Sequence, residues 1–424
     1  MANLSTALST TIASWIPRLS LAAGLVLLSL RPSLAQTVEI VRPLQQNDEG
    51  QITLRLRVED ANNRPVIDLN PDNFALTIDE TPLEFSPNDW KSPQEAEPPP
   101  AWIVVLVDFS GSMNQLDSRG TTRIEGAMTA IEELVNSLQG RASETQVAVV
   151  PFGVGGKGCE GYEVTPETLD KFFTPNSALL ANYLDSLATK TPCTSTNIYE
   201  PLTQAIWFLS NPNDERFTVS NRKQQSRLGI ILLSDGFHNT VGEAEDFERL
   251  ISLIQRTPTV TVHTVGYGLT PEKLAQKYGL NRPATRQDIS EGRIPEEEFV
   301  DQDRLQSIAD TSGGISVFSA SSLEVSRSFN LFLDALLGEY QITYMHPQAE
   351  RGSKHQVKVD VEIDQSTKVT DQANYTITIF GRSLPRSTRL IMMLIVLCAL
   401  GLGGILPFFL WAGYLKRSQT NYES

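Results

Sequence analysis

From Ala101 to Leu337 short apolar runs alternate with amphipathic helical patterns, and this alternation constrains the fold more than any other feature of the 424 residues. WIVVLVD, TQVAVVPF, RLGIILLSDG, TVTVHTVGYG and ISVFS read as strands. They are short, rich in β-branched residues and apolar at consecutive positions, as strands covered on both faces must be. Between them, RIEGAMTAIEELVNSL sets Ile124, Met128, Ile131, Val135 and Leu138 on one helical face. EAEDFERLISLI does the same with Phe247, Leu250, Ile251 and Ile254. SALLANYLDSLA, NIYEPLTQAIWFLS, DRLQSIADTSGG and the run ending in SFNLFLDALL supply further helices. Strand and helix in alternation specify an α/β fold, a doubly wound and mostly parallel sheet with helices on both faces.

The flanks follow a different grammar. Residues 36–87 hold short alternating runs, TVEIV, ITLRLRVED and FALTID, broken by turn-forming clusters. Residues 339–381 hold YQITYM, HQVKVDVEI and YTITIF. Neither flank has enough strands for a stable sandwich alone. The expectation is therefore one β-domain built from both flanks, with an α/β domain over 101–338 inserted between them. NDWKSPQEAEPPP, residues 88–100, reads as a proline- and acid-rich linker. Residues 270–302 break the strand–helix rhythm: TPEKLAQKYGL reads as a helix, and RPATRQDISEGRIPEEEFVDQ reads as a long surface insertion, the kind of loop that is functional or disordered.

Both ends point to a membrane. Residues 1–35 carry Arg18, an apolar stretch from Leu19 to Leu30 and the small-x-small site Ser33-Leu34-Ala35. That is the pattern of an export signal cut after Ala35, with an uncleaved anchor as the other reading. Leu390 to Leu415 contains no charge and is long enough to span a bilayer, with Trp411 and Tyr414 suited to the interface. The expected topology is single-pass, with the body exported to a periplasmic or extracellular space and residues 416–424 as a cytoplasmic tail. A net charge of -15 excludes nucleic acid as a natural partner, because phosphate binding requires a basic surface.

One apolar strand ends in an unusual way. VVLVDFSGSM turns from four apolar residues into Asp108, Ser110 and Ser112, with Gly111 expected to let the loop turn tightly. Asp235 leaves the end of IILLSDG in the same manner, and CTSTN places Thr194 and Thr196 before a helix. In an open parallel sheet these strand ends form the ligand-binding edge. Hard oxygen donors favour magnesium, manganese or calcium over zinc or copper.

The set DFSGS at 108–112, STN at 195–197 and LLSDG at 232–236, in that order, resembles the von Willebrand factor A domain with its metal-ion-dependent adhesion site. The resemblance covers roughly residues 101 to 338. It implies Asp108, Ser110 and Ser112 as first-loop ligands, Thr196 as the second-loop hydroxyl, with Thr194 as the alternative, and Asp235 as the third-loop carboxylate. It further implies Mg2+, with Mn2+ or Ca2+ as substitutes, and a protein partner that offers an Asp or Glu carboxylate to the cation. The function expected is cation-dependent protein binding at a membrane. A scaffold or assembly role in a membrane or envelope complex is the alternative, and a metal-dependent hydrolase the remote one.

Other motifs point nowhere else. GVGGKGCE lacks the frame of a phosphate-binding P-loop, and GYGLTP ends in a proline that breaks a dinucleotide fingerprint, so no nucleotide is expected. Ser110 is outside a Gly-x-Ser-x-Gly setting, and no general base is evident, so no enzyme is expected. Cys398 lies in the membrane segment, which leaves Cys159 and Cys193 as a disulfide or as two free thiols. His238 reads as a solvated loop histidine.

Overall fold

The computed structural model describes residues 36–41, 44–46, 51–61, 64–138, 145–173, 177–217, 226–235, 238, 242–346, 352–364, 367–377 and 386–420. The expected export signal lies outside them. The chain begins with β1 (Thr37–Ile40), β2 (Gln45–Gln46), β3 (Gln51–Glu59), β4 (Phe74–Ile78), β5 (Thr81–Leu83) and β6 (Trp90–Lys91). The α/β region follows with β7 (Ala101–Asp108), α1 (Arg123–Leu138), β8 (Thr145–Phe152), α2 (Pro166–Phe172), α3 (Ser177–Ala188), α4 (Tyr199–Leu209) and β9 (Arg227–Ser234). It continues through α5 (Glu243–Arg256), β10 (Val260–Tyr267), α6 (Pro271–Tyr278), α7 (Arg286–Ser290), α8 (Gln302–Ser312), β11 (Ser316–Ser319) and α9 (Ser322–Leu337). β12 (Tyr340–Met345), β13 (Lys354–Asp364) and β14 (Thr367–Thr376) precede α10 (Arg386–Leu400) and α11 (Leu406–Thr420).

The central sheet is parallel throughout, in the order β11-β10-β9-β7-β8. Consecutive apolar residues in β7 and β9 serve two cores. Val105, Val107, Ile231 and Leu233 pack beneath α1, α3 and α9. Val104, Leu106, Ile230 and Leu232 pack beneath α4, α5 and α8 on the other face. The chain runs from β7 outward to β8, then returns to the opposite side of β7 with β9. The crevice at that reversal is where an open α/β sheet accepts ligands.

The flanking strands interleave. β3 pairs antiparallel with β12, from Leu56 opposite Tyr340 to Gln51 opposite Met345. β4 pairs antiparallel with β13, from Phe74 opposite Val361 to Ile78 opposite Val357. Each of the two sheets, β1-β3-β12-β6 with β2 on β3, and β14-β13-β4-β5, thus draws on both ends of the chain. Leu54, Leu56, Tyr340 and Ile342 from the first sheet share a core with Leu76, Val357, Val359 and Val361 from the second.

Several expectations are corrected. The last strand among the described residues is Thr367–Thr376, which starts eight residues before YTITIF and overlaps it at Tyr375 and Thr376; residues 378–380 of that run lie outside the described residues. Val369, Ala373 and Tyr375 face the core at alternate positions, but Asp371 interrupts the apolar alternation that would mark the strand. Residues 88–100 are not a free linker: Trp90 pairs opposite Ile342, its ring lies against Tyr340 and Phe74, and the Glu97 carbonyl accepts from Arg55 Nη1 at 2.6 Å. The helix expected in TPEKLAQKYGL is α6, and the rest of the 270–302 segment is no loose loop but is folded with it around a small core of Leu274, Ala284, Ile294 and Phe299. Within it, the buried Asp288 carboxylate is held by Arg282 and Arg293, and Arg282 above all keeps its pKa well below the usual range.

Glu339 joins the two parts of the molecule. It is 2% exposed and lies 3.3 Å from Arg55 Nη1 of β3, while its other oxygen pairs with Arg227 at the start of β9. Farther on, Leu390–Leu415 is one helical run long and apolar enough to cross a membrane. A π-helical turn at Gly401–Ile405 precedes Pro407, whose missing N–H and ring disrupt a regular α-helical ladder.

Candidate metal centre

Asp108 and Asp235 are neighbours because β7 and β9 pair in register up to Val107 opposite Leu233, and each chain then emerges from the sheet. Both carboxylates are fully buried. Ser234 Oγ donates to Asp108 Oδ2 at 2.5 Å, and the Ser110 backbone N–H donates to Asp108 Oδ1 at 2.8 Å. The second bond folds the loop back on its own carboxylate, so that Ser110 and Ser112 face Asp235. Their hydroxyl oxygens lie 2.9 Å apart, and they donate to Asp235 Oδ1 at 3.4 Å and 2.8 Å respectively.

The threonine loop is strapped to this cluster. The backbone N–H groups of Cys193 and Thr194 donate to the Phe109 carbonyl at 3.1 Å and 3.2 Å, and Gly111 N–H donates to the Thr194 carbonyl at 3.1 Å. Cys159 and Cys193 are joined by a disulfide, with Cα atoms 5.8 Å apart. The tight packing falls on Gly153 rather than Gly111. A Cβ on Gly111 would meet nothing within 4 Å, whereas one on Gly153 would lie 1.8 Å from Thr194 Oγ1. The Thr194 hydroxyl is buried against Gly153 at the β8 end and has no hydrogen-bond partner among the described residues. Thr196 is buried on the same loop, and among the described residues its hydroxyl makes no hydrogen bond with the other four. The structure brings Asp108, Ser110, Ser112 and Asp235 into one hydrogen-bonded group, of which Thr196 is not a member.

Arg123 is the site residue that sequence reasoning missed. It opens α1, is buried, and its Nη1 lies 2.6 Å from Asp235 Oδ2. A signal was present: a cation in the first turn of a helix opposes the helix dipole and calls for a compensating carboxylate.

The electrostatics follow from burial. Burial, and after it the neighbouring Asp235 charge, pushes the Asp108 carboxyl up to about 7. Burial also raises Asp235, opposed by Arg123. With both carboxylates ionised, two buried negative charges face one guanidinium. Hard oxygens around an excess negative charge fit a divalent cation such as magnesium.

Around this edge, His238 corrects the sequence reading. It is buried rather than solvated, stacks on Tyr199 at 4.0 Å between ring centroids, and accepts from Ile198 N–H at 3.3 Å through Nδ1. Asp117, in the loop between Ser112 and α1, accepts from Tyr267 OH at 2.9 Å and from Ser322 N–H at 2.9 Å. That loop is therefore pinned to β10 and α9. A cleft of 660 Å³ beside the threonine loop is lined by Val154, Tyr162, Glu163, Glu167, Asn197 and Glu200, among others.

Solved structures similar to the chain include the pilus adhesin SpaC from Lactobacillus rhamnosus GG, at 13% identity and a TM-score of 0.39, over 80% of this chain and 48% of SpaC. The chain thus spans about half of SpaC's length. The SpRpn10 VWA domain is similar at 13% identity and a TM-score of 0.33, over 54% of this chain and 94% of that domain. The human COPII-coat protein Sec24c is similar at 10% identity and a TM-score of 0.36, over 67% of this chain and 44% of Sec24c. No curated protein sequence matches the chain. Residues 103–327, more than half of its length, match the von Willebrand factor type A domain, and with the doubly wound sheet and the serine–aspartate edge already described, the chain belongs to that family.

Proposed function

We propose that the protein is a cation-dependent binding module, tethered to a membrane by Leu390–Leu415 with its body on the exported side. One observation carries the reading. Asp108 and Asp235 are buried together with Arg123 as the guanidinium at the pair, and Ser110 and Ser112 aim their hydroxyls at the same point. Asp108, Ser110, Ser112, Thr196 and Asp235 would hold the cation, Mg2+ first and Mn2+ or Ca2+ as substitutes. When bound, the cation supplies positive charge to which a partner's Asp or Glu carboxylate is attracted, and such desolvated pairing favours specificity. Glu163, Glu167 and Glu200 in the adjacent cleft favour basic residues beside that carboxylate. The role is binding rather than catalysis.

The test uses the full chain in detergent. Mg2+ at about 100 times its dissociation constant should stabilise the wild type by about 2–3 kcal/mol against thermal unfolding. Asp108→Ala should abolish that response, and it should also abolish the chelator-sensitive part of partner capture from membranes. A wild type indifferent to Mg2+, Mn2+ and Ca2+ would overturn the reading.

A further inference from the structure

We propose that Asp79, His346 and His355 form a second metal site, in the β-domain, for a borderline transition-metal dication such as Zn2+. The three residues come from distant parts of the sequence: the β4–β5 turn, the end of β12 and the start of β13. Each offers a ligand atom, and these atoms lie within 4.8 Å of one another. The imidazole rings of His346 and His355 are 4.0 Å apart between centroids. His355 Nδ1 lies 2.6 Å from Asp79 Oδ2, and its Nε2 lies 2.5 Å from Ser353 Oγ.

Two imidazoles and a carboxylate are the donor set that suits zinc, with water in the fourth position. The same set discriminates against magnesium, which demands oxygen ligands. The two sites of this chain are therefore chemically distinct. The backbone supports the assignment. Asp79 and Glu80 have φ of 47° and 69°, a left-handed pair that two-residue hairpin turns normally assign to Asn-Gly or Asp-Gly. Non-glycine residues in that region are strained and concentrate at functional sites. Here the strained turn holds the Asp79 carboxylate toward β13, where Gln356 N–H donates to Asp79 Oδ1 at 2.9 Å. Asp79 is half exposed, so the site opens to solvent on its carboxylate side. A cation there would clip the N-terminal flank of the β-domain to its C-terminal flank.

The experiment titrates full-length protein in detergent, stripped of metal and held in excess Mg2+, with Zn2+ by calorimetry and with Co2+ as a visible-absorption probe. Wild type and Asp108→Ala should each bind one equivalent, with the absorption of tetrahedral Co2+. Asp79→Asn, which keeps the shape of the side chain but removes its ligating charge, should weaken binding by at least the roughly 10- to 100-fold that loss of an outer-shell partner costs. The His346→Ala/His355→Ala double variant should bind one equivalent fewer than wild type. Equal stoichiometry and spectrum in the double variant, or no Zn2+ bound by the wild type, would overturn the proposal and leave the cluster as a hydrogen-bonded brace.

Discussion

Arg123 shapes what the two buried aspartates can do. Its guanidinium neutralises one carboxylate, so the pair tolerates burial, and the other charge remains for the proposed cation. Arg123→Met keeps most of the side chain's volume and removes the charge. In chelator the variant should lose about 3–5 kcal/mol of stability, the cost of leaving a buried charge uncompensated. The increment that Mg2+ restores should then exceed that of the wild type, as read from denaturant unfolding with and without the ion. A smaller increment would mean that Arg123 acts by holding Asp235 in place. At this scale the residue types were legible: Asp108, Ser110, Ser112 and Asp235 stand at the ends of two apolar strands and converge. Arg123 was not legible, because its partner is 112 positions away and depends on how α1 docks beside β9.

Among the elements, the threonine loop depends on a crosslink. The Cys159–Cys193 disulfide closes a loop across a sequence separation of 34. Chain entropy assigns such a closure about 3–4 kcal/mol. Cys193→Ser should lower the unfolding free energy by that order. It should also weaken Mg2+ binding, because the loop carrying Thr196 loses its anchor, and calorimetry on the oxidised wild type and the variant would check both. The strands β7 and β9 were readable because residues covered on both faces must be apolar at every position. β14 was misplaced for the opposite reason. Its core-facing positions Val369, Ala373 and Tyr375 alternate with polar ones but are interrupted by Asp371, which accepts from the Ile40 N–H, so a local window shows only a broken alternation.

The whole molecule is held together through Glu339, where the end of the α/β domain becomes the first residues of the returning β-domain. Its carboxylate serves Arg55 in one part and Arg227 in the other, almost wholly out of water. Glu339→Gln should therefore cost about 3–5 kcal/mol, since it leaves buried guanidinium charge without its partner. Chemical unfolding followed by Trp90 and Trp102 fluorescence should then separate into two transitions, one from each part. A single transition at unchanged midpoint would show that the sandwich and the parallel sheet are coupled by other contacts. Leu390–Leu415, the proposed membrane tether, is exposed over nearly all of its described apolar residues.

What the sequence determined by itself was the alternation of strand and helix and the carboxylates at the strand ends, because burial on both faces and exit from a sheet leave local marks. Pairing between the flanks was foreseeable only as a need, since neither flank can cover its own apolar face. Register, the docking of Trp90 and the folded 270–302 segment were decided by the tertiary structure. So were the pairing of Arg123 with Asp235 and the meeting of Asp79 with His346 and His355. Each of these joins residues that are remote in the chain, and a contact between remote residues exists only once the fold has brought their elements together.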